Sequence, residues 1–348
     1  GVSFFAWKFA NVTHVGHATA TWPMSFQRRL VAVACTAFTG FTFATWREGR
    51  RILPPGSCRR IPLLEIPAVA GGTFDSEMMH ALRSVGCFQV RLPTSLQRMT
   101  SGCFRDFRDM LSMPEEDKVR FHVEDDLLSL HGYQPQGELG ERYNAHRSGF
   151  VFHSQQPMSW VSEAQEQRIV NWRRHIWHLA ERIFDTVLKE LQVNQSEGLF
   201  NEKGHFDMVS HSNFQVKEMH STAIGPTVAE VLRLPMHQDP SFLSLLIHGS
   251  NDPPGQGLEI WHDPSRSYVA VPRSGHDVAT IIVGQLFHLL LGRGPTKFAK
   301  GKHRVITLAE DLEKPRVAAT FFFQPASDAM LIPVVSSHSD EPIISFRQ

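Results

Sequence analysis

Cysteine is scarce in this chain, and the scarcity excludes two kinds of structure. Only four cysteines occur in 348 residues, all in the first third, and none shows the close paired spacing of a structural zinc site or a disulfide framework. The other two thirds therefore fold without disulfides, which favours a reducing compartment, and we expect a cytoplasmic protein. The four are Cys35, Cys58, Cys87 and Cys103.

The chain also lacks an excess of charge of either sign. Lysine plus arginine and aspartate plus glutamate are equal, at 35 each. No field of the whole molecule favours nucleic acid or a polyanionic surface, so we expect a small-molecule substrate and no nucleic-acid partner. With 42% hydrophobic and 20% charged residues, the composition is that of a globular protein with a large core, and we expect a monomer.

Acidic residues are nearly absent from residues 1–60, where Glu48 stands against eight lysines and arginines. This basic leader is either a targeting segment or anchor, or an unstructured extension. Its uncharged run from Leu30 to Trp46 is shorter than the roughly 20 apolar residues of a membrane span and is rich in threonine. Organelle targeting or secretory entry would act through residues 24–60, and membrane contact is expected only if the leader is an anchor.

No internal repeat of the solenoid kind is present, and three regions follow the leader. Residues 61–160 are predicted to form short strands and helices. Residues 161–335 begin with a long helix and continue as a β-rich region, and residues 336–348 form a tail. The long helix is predicted from Ser162 to about Gln192, because apolar residues recur there every three or four positions and Ser162 with Gln165 fits a capping box.

After Gly204 the sequence becomes a series of short apolar or alternating runs between Gly, Pro, Asp and Ser, which is typical of β-strands. Eight such strands predict a sandwich or jelly roll, with Gly132 and Tyr133 in a loop before it. The predicted strands are Phe214 to Met219, Phe242 to His248, Leu258 to Trp261, Tyr268 to Val271, Val278 to Val283, Phe287 to Leu291, His303 to Leu308 and Arg316 to Phe323.

Three side chains in this region could share one metal ion. His237 and Asp239 stand two positions apart, so in an extended segment they point to the same side. His303 opens a distant β-like run and could supply a third ligand. Two imidazoles and one carboxylate form the facial triad of non-haem Fe(II) oxygenases, which leaves three octahedral positions open for a bidentate cosubstrate and O₂.

The order of short motifs around these residues closely resembles the isopenicillin N synthase-like family of iron and 2-oxoglutarate-dependent dioxygenases. The resemblance spans about residues 60 to 335. It implies a mainly β fold with flanking helices: a double-stranded β-helix (jelly-roll) core, an N-terminal α/β segment and a long backbone helix. The motifs are Ile61-Pro62-Leu63-Leu64-Glu65-Ile66, Gly86-Cys87-Phe88-Gln89-Val90, Met113-Pro114-Glu115-Glu116-Asp117-Lys118, Gly132-Tyr133, His237-Gln238-Asp239-Pro240, Gly257-Leu258-Glu259-Ile260-Trp261, Val269-Ala270-Val271-Pro272, Ile282-Val283-Gly284 and His303-Arg304-Val305.

The resemblance also implies a role for Arg316. In the family, an Arg-x-Ser after the second histidine binds the far carboxylate of 2-oxoglutarate, and this chain has Arg316 with Ala318 at the serine position. Arginine can still form a bidentate contact, while the lost hydroxyl costs on the order of 1 kcal/mol. The family's Tyr-Pro on the preceding strand is absent from the stretch 214–220, and Gly284-Gln285 replaces Gly-Asp in a turn.

The implied function is oxidation of a small organic molecule, by hydroxylation or desaturation, with succinate and CO₂ as co-products. Its requirements are Fe(II), 2-oxoglutarate and O₂, with ascorbate as a further candidate for sustaining activity. Ala318 keeps open an iron-dependent oxidase or oxygenase that does not use 2-oxoglutarate. An alternative of another class is a non-catalytic binding protein on the same fold.

The other histidines of the β-rich half are not needed as ligands, because the triad is complete without them. We expect them to be surface or loop residues. They are His220, His248, His262, His276 and His288.

Overall fold

A computed structural model describes most of the chain from Ile61 onwards. The ranges are 61–66, 73–122, 131–137, 146–152, 157–190, 212–220, 230–249, 257–272, 274–291, 298–308, 315–324, 330–331 and 344–345. The basic leader, residues 1–60, lies outside the described residues, and the region boundaries inferred from the sequence stay predictions.

The N-terminal part is an α/β segment, as the sequence indicates. Helix α1 ends because Gly86 adopts a positive φ of 75° and its N–H donates to the carbonyl of Ala81. The elements are β1 (Leu63–Glu65), α1 (Thr73–Ser84), β2 (Cys87–Arg91), α2 (Thr94–Leu111), α3 (Glu115–Lys118) with a following 3₁₀ turn (Val119–Phe121), β3 (Gly132–Gln134) and β4 (Arg147–Phe152).

The long helix α4 (Glu163–Glu190) forms where the sequence predicts it. The capping box is present: the Gln165 N–H donates to Ser162 Oγ at 3.4 Å, and the Ser162 N–H donates to Gln165 Oε1 at 3.0 Å. The apolar face of α4 is buried together with α2 against a sheet, and Trp172 Nε1 donates to Thr100 Oγ1 at 2.9 Å between the two helices. This layer fixes one face of that sheet.

The described strands form two large sheets and a third of only two strands, β13 and β14. The eight-stranded sheet has the order β1-β2-β10-β7-β12-β5-β4-β3, and the four-stranded sheet has the order β6-β11-β8-β9. Mostly antiparallel pairing in two sheets, with helices outside, confirms the jelly-roll expectation. The remaining elements are β5 (Asn213–Met219), β6 (Glu230–His237), β7 (Leu243–His248), β8 (Leu258–His262), β9 (Ser267–Ala270), β10 (Val278–Val283), α5 (Gln285–Leu291), β11 (His303–Leu308), β12 (Arg316–Phe323), β13 (Met330–Leu331) and β14 (Ile344–Ser345).

The two faces of the eight-stranded sheet differ in chemistry. On β12 and β5, alternate residues such as Phe321, Val216 and Phe214 pack against α2 and α4 in the main core. The residues between them, among them Met219, face the four-stranded sheet, where a smaller apolar cluster joins Met219 to Leu234. We call this second side the inward face, and it carries the candidate site.

Some sequence-based expectations are wrong. Phe287 to Leu291 lies in helix α5, because an apolar run this short does not distinguish a strand from a buried helix. Gly132 and Tyr133 belong to strand β3, and strand β6 precedes His237. Within the expected tail, Ile344–Ser345 pairs with Met330–Leu331. No helix in the described part of the chain is long and apolar enough to cross a membrane.

Candidate metal centre

The two histidines predicted as ligands meet across a pair of strands. His237 is the last residue of β6 and His303 the first of β11, and the two are paired in the antiparallel register. His303 is also paired with Ile260 of β8, which belongs to the inward apolar cluster, so its ring faces inward. The ring centroids of His237 and His303 are 4.2 Å apart.

Backbone carbonyls orient both rings in the same way. His237 Nδ1 lies 2.9 Å from the Pro235 carbonyl, and His303 Nδ1 lies 2.9 Å from the Gly301 carbonyl. A carbonyl only accepts, so each Nδ1 carries the proton and each Nε2 keeps a lone pair for a metal. Burial lowers the pKa of His303, against the opposing charge of Asp239, which favours its neutral, ligating form.

Asp239 completes the predicted set. Its Oδ1 lies 3.4 Å from His237 Nε2, and its Oδ2 lies 3.8 Å from His303 Nε2. Burial would raise the pKa of this carboxyl, but the imidazoles of His303 and His237 in their protonated forms, together with a hydrogen bond from Ser244, hold the pKa below its usual range. The carboxylate is therefore ionised, as a metal ligand must be.

Three hydrogen bonds to backbone carbonyls hold the loop that carries Asp239. The Gln285 N–H donates to the Asp239 carbonyl at 2.8 Å, and the Leu286 N–H donates to the Ser241 carbonyl at 3.0 Å. Gln324 Nε2 donates to the Pro240 carbonyl at 2.7 Å. This chain has Gln285 where the family has aspartate. The change does not affect the support of the loop, because the hydrogen bond to the Asp239 carbonyl comes from the backbone N–H of residue 285.

Position 284 requires glycine, because the backbone of Ser241 lies too close to it for a side chain. A Cβ at this position would lie 1.9 Å from the Ser241 carbonyl oxygen, so the start of α5 and the ligand loop are packed backbone against backbone.

The geometry fits a divalent metal ion. One ligand atom from each of His237, Asp239 and His303 lies within 4.8 Å of the others, at the edge of the four-stranded sheet. Two neutral imidazoles and one carboxylate on one side of an ion suit Fe(II) and leave the opposite positions free.

Arg316 lies apart from the triad, on the eight-stranded sheet. It opens β12 opposite Met219 of β5, and its side chain is buried, with Nη2 directed at Met219 Sδ at 3.3 Å. Because Met219 belongs to the inward cluster, the guanidinium lies between the two sheets. Ala318, two residues on, faces the same way and is only half-buried. The role of Arg316 as a cosubstrate ligand stays a prediction.

Two buried residues of the inward face are absent from the sequence-based site. His248 is opposite Ala318 on β7, and Lys217 is opposite Ala318 on β5. The expectation that His248 and His262 lie on the surface or in loops is wrong, since both are buried strand residues. The alternation of polar and apolar residues along β5 and β7 marks these positions, but only the pairing register shows that they face inward.

Comparison with known proteins agrees with this geometry. Residues 209–325 match the sequence model of the 2OG-Fe(II) oxygenase superfamily. This range contains His237, Asp239, His303 and Arg316. A search of curated protein sequences finds no match.

Solved structures share the fold at low sequence identity. A full-length Neurospora crassa protein in complex with alpha-KG aligns with a TM-score of 0.64 at 15% identity, over 82% of this chain and 93% of its own. The dioxygenase for auxin oxidation 1 of Arabidopsis thaliana, with 2-oxoglutarate, gives 0.61 at 19% identity over 80% and 98%. JOX2 in complex with 2OG, Fe and JA gives 0.61 at 19% over 84% and 85%. Residues 209–325 thus match the 2OG-Fe(II) oxygenase superfamily and carry the His-Asp-His site, as in a non-haem Fe(II) dioxygenase that uses 2-oxoglutarate and O₂.

Proposed function

We propose that this enzyme oxidises an unactivated C–H bond of a small organic molecule, by hydroxylation or desaturation. In hydroxylation, one atom of O₂ enters the product and the other enters succinate, while 2-oxoglutarate loses CO₂. The bound iron supplies the O₂ chemistry, and the protein supplies binding and orientation.

The observation that carries the proposal is the triad itself. His237, Asp239 and His303 would hold Fe(II), because their three ligand atoms converge within 4.8 Å. The carbonyls of Pro235 and Gly301 fix the tautomers that ligation needs. The low pKa of Asp239 keeps a negative ligand on the ion across the physiological range.

Arg316 would bind the distal carboxylate of 2-oxoglutarate. A guanidinium buried on the inward face, at 8% exposure, is stabilised by an anion, and a carboxylate matches its fork. A carboxylate oxygen is also a far stronger acceptor than the thioether of Met219, which lies 3.3 Å from Nη2.

The structural relatives support a small organic substrate. One is a dioxygenase for auxin oxidation, another is bound to JA, and the Neurospora crassa protein is known in complex with thymine. The inward face provides room for such a molecule, because Ala318, Thr320 and Phe322 of β12 are each only partly buried, whereas the helix-facing residues between them are buried.

The test is an anaerobic titration of the purified chain with Fe(II) and 2-oxoglutarate, followed by the weak visible metal-to-ligand charge-transfer band. We expect the band in the wild type, its loss in His237→Ala, and a markedly higher 2-oxoglutarate concentration for half-saturation in Arg316→Ala. Matched controls are His80→Ala and Arg83→Ala, which change exposed residues of α1 and should leave the titration unchanged.

Succinate formation is the second readout. Slow uncoupled turnover in air should yield succinate from 2-oxoglutarate in the wild type and not in His237→Ala. Oxygen consumption that needs no 2-oxoglutarate would refute the proposed cosubstrate, and equal Fe(II) binding by wild type and His237→Ala would refute the metal site.

A further inference from the structure

Lys217 places a buried amine on the inward face of β5. It stands two residues before Met219, so the alternation of the strand directs both side chains between the two sheets. Only 5% of Lys217 is exposed. In the register it lies between Gly149 of β4 and Ala318 of β12.

The side chain of Lys217 runs away from Arg316. It passes over Gly149, where an added Cβ would lie 3.0 Å from Lys217 Cδ and 2.0 Å from the Val216 carbonyl oxygen. Its Nζ then donates to Oε1 of Gln134, a buried residue of β3 paired with Gly149. Strand β3 is three places from β12 in the sheet, which is about 14 Å at the usual strand spacing.

Lys217 has more donors than its protein surroundings satisfy. An ammonium has three N–H donors, and within the part of the chain that the structure describes Gln134 is the acceptor it has. Burial, reinforced by the charge of Arg147, lowers the pKa of Lys217 well below its usual value, so an anion beside the amine is what would hold it in its charged, three-donor form. Of the described carboxylates, the buried ones are Asp106, paired with Arg168 between helices, and Asp239 of the metal centre.

Arg147 adds a second cation to the inward face beside Lys217. Arg147 is opposite Met219 on β4 and so shares the inward face. Its charge acts on both Lys217 and His303, lowering the pKa of each. Lys217 and Arg147 therefore share the inward face, on the side of β5 away from β12, and the charge of Arg147 reaches the metal ligand His303.

We propose that Lys217 binds a carboxylate of the organic substrate, and that the substrates of this enzyme are small carboxylic acids. The inference rests on the proposed function and names its substrate class. Gln134 orients the Lys217 ammonium, and Arg147 adds a second positive charge. A bound carboxylate would accept charge-assisted hydrogen bonds from the N–H groups of Lys217 that Gln134 leaves available. Arg316 remains for 2-oxoglutarate, because Lys217 Nζ is directed to β3, on the side of β5 opposite to β12.

The experiment compares acids with their uncharged analogues on the full chain loaded anaerobically with Fe(II) and 2-oxoglutarate. The probes are phenylacetic, cyclohexylacetic and octanoic acid, each with its primary amide, and binding is followed by thermal shift and by change in the charge-transfer band. We expect at least one acid to bind about tenfold or more tighter than its amide. Lys217→Met should abolish the preference, and Lys217→Arg should keep part of it.

Two controls separate the outcomes. Lys189→Met changes an exposed lysine of α4 and should leave the preference intact. Lys217→Gln keeps a polar group and replaces Lys217→Met if that variant unfolds. Acids and amides that bind alike across the panel would overturn the proposal, as would acid binding unchanged in both Lys217 variants.

The cosubstrate arm distinguishes the two carboxylate sources. Lys217→Met should form the Fe(II)–2-oxoglutarate band at wild-type concentrations. If this variant loses 2-oxoglutarate affinity and keeps the acid preference, Lys217 serves the cosubstrate and the proposal is wrong. If the wild type gives no band, the proposed function fails, and the acid titration of the metal-free protein still decides the role of Lys217.

Discussion

Gly284→Ala offers a sharp test of how the metal centre is supported. The new methyl carbon would lie 1.9 Å from the Ser241 carbonyl oxygen and 2.5 Å from Ser241 Oγ. The backbone at residue 284 and the backbone at Ser241 must move apart by about 1 Å. The two hydrogen bonds from the start of α5 to the carbonyls of Asp239 and Ser241 must then lengthen. Overpacking of this kind costs about 1–3 kcal/mol of unfolding free energy, and disturbed second-sphere contacts cost about 10- to 100-fold in metal affinity.

Two measurements check this prediction. Urea unfolding gives the stability, and anaerobic competition with a chromophoric chelator gives the Fe(II) affinity. The matched control is Gly102→Ala in α2, where an added Cβ meets nothing within 4 Å and should stabilise the protein by up to about 1 kcal/mol. Wild-type Fe(II) affinity in Gly284→Ala would refute the reasoning, because it would mean that the ligand loop is not held by this packing.

Three further predictions concern the inward face and α4. Burial lowers the pKa of His248 to about 3, so between that pH and about 6.5 the unfolded state binds more protons than the folded state. Acidification through this window should therefore destabilise the metal-free wild type more than His248→Gln. Urea unfolding should show the difference, at most about 1.4 kcal/mol per pH unit. Ala318→Ser restores a hydroxyl beside Arg316 and should tighten 2-oxoglutarate binding about fivefold in the anaerobic titration, whereas Ala319→Ser, on the helix face, should lower stability without that gain. Ser162→Ala breaks the capping box and should cost about 1 kcal/mol in urea unfolding with unchanged Fe(II) affinity.

The sequence predicts those helices and strands whose signals, an apolar repeat, a cap or an alternation, lie within the element itself. Helix α4 follows its apolar repeat and its Ser162 cap, and β11 and β12 begin and end where the alternation does. Helix α5 could not be predicted, because its apolar run is too short to show a helical repeat. The first turn of α5 is held by hydrogen bonds to residues 239–241. These residues are distant in sequence, so the apolar run 287–291 alone does not reveal the contacts.

The same distinction applies to the site. The metal ligands could be predicted because His237 and Asp239 are two positions apart and short motifs flank His303. Lys217 and His248 could not, because their significance depends on the register that places both opposite Ala318. A one-residue slip of either strand would turn these side chains into the helix-facing core, where neither an amine nor an imidazole could be accommodated without cost.

The charge of the inward face gives a final argument about ligands. Arg316 and Lys217 are both buried there, Arg147 borders them, and of the described carboxylates that are buried, Asp239 is the one on this face. Buried cations in excess of buried anions reduce stability unless ligands neutralise them. A metal ion adds further positive charge, so the complete site favours anionic ligands. In the proposed arrangement, the dicarboxylate 2-oxoglutarate would neutralise Arg316 on the side of β12, and an acid substrate would neutralise Lys217 on the side of β3.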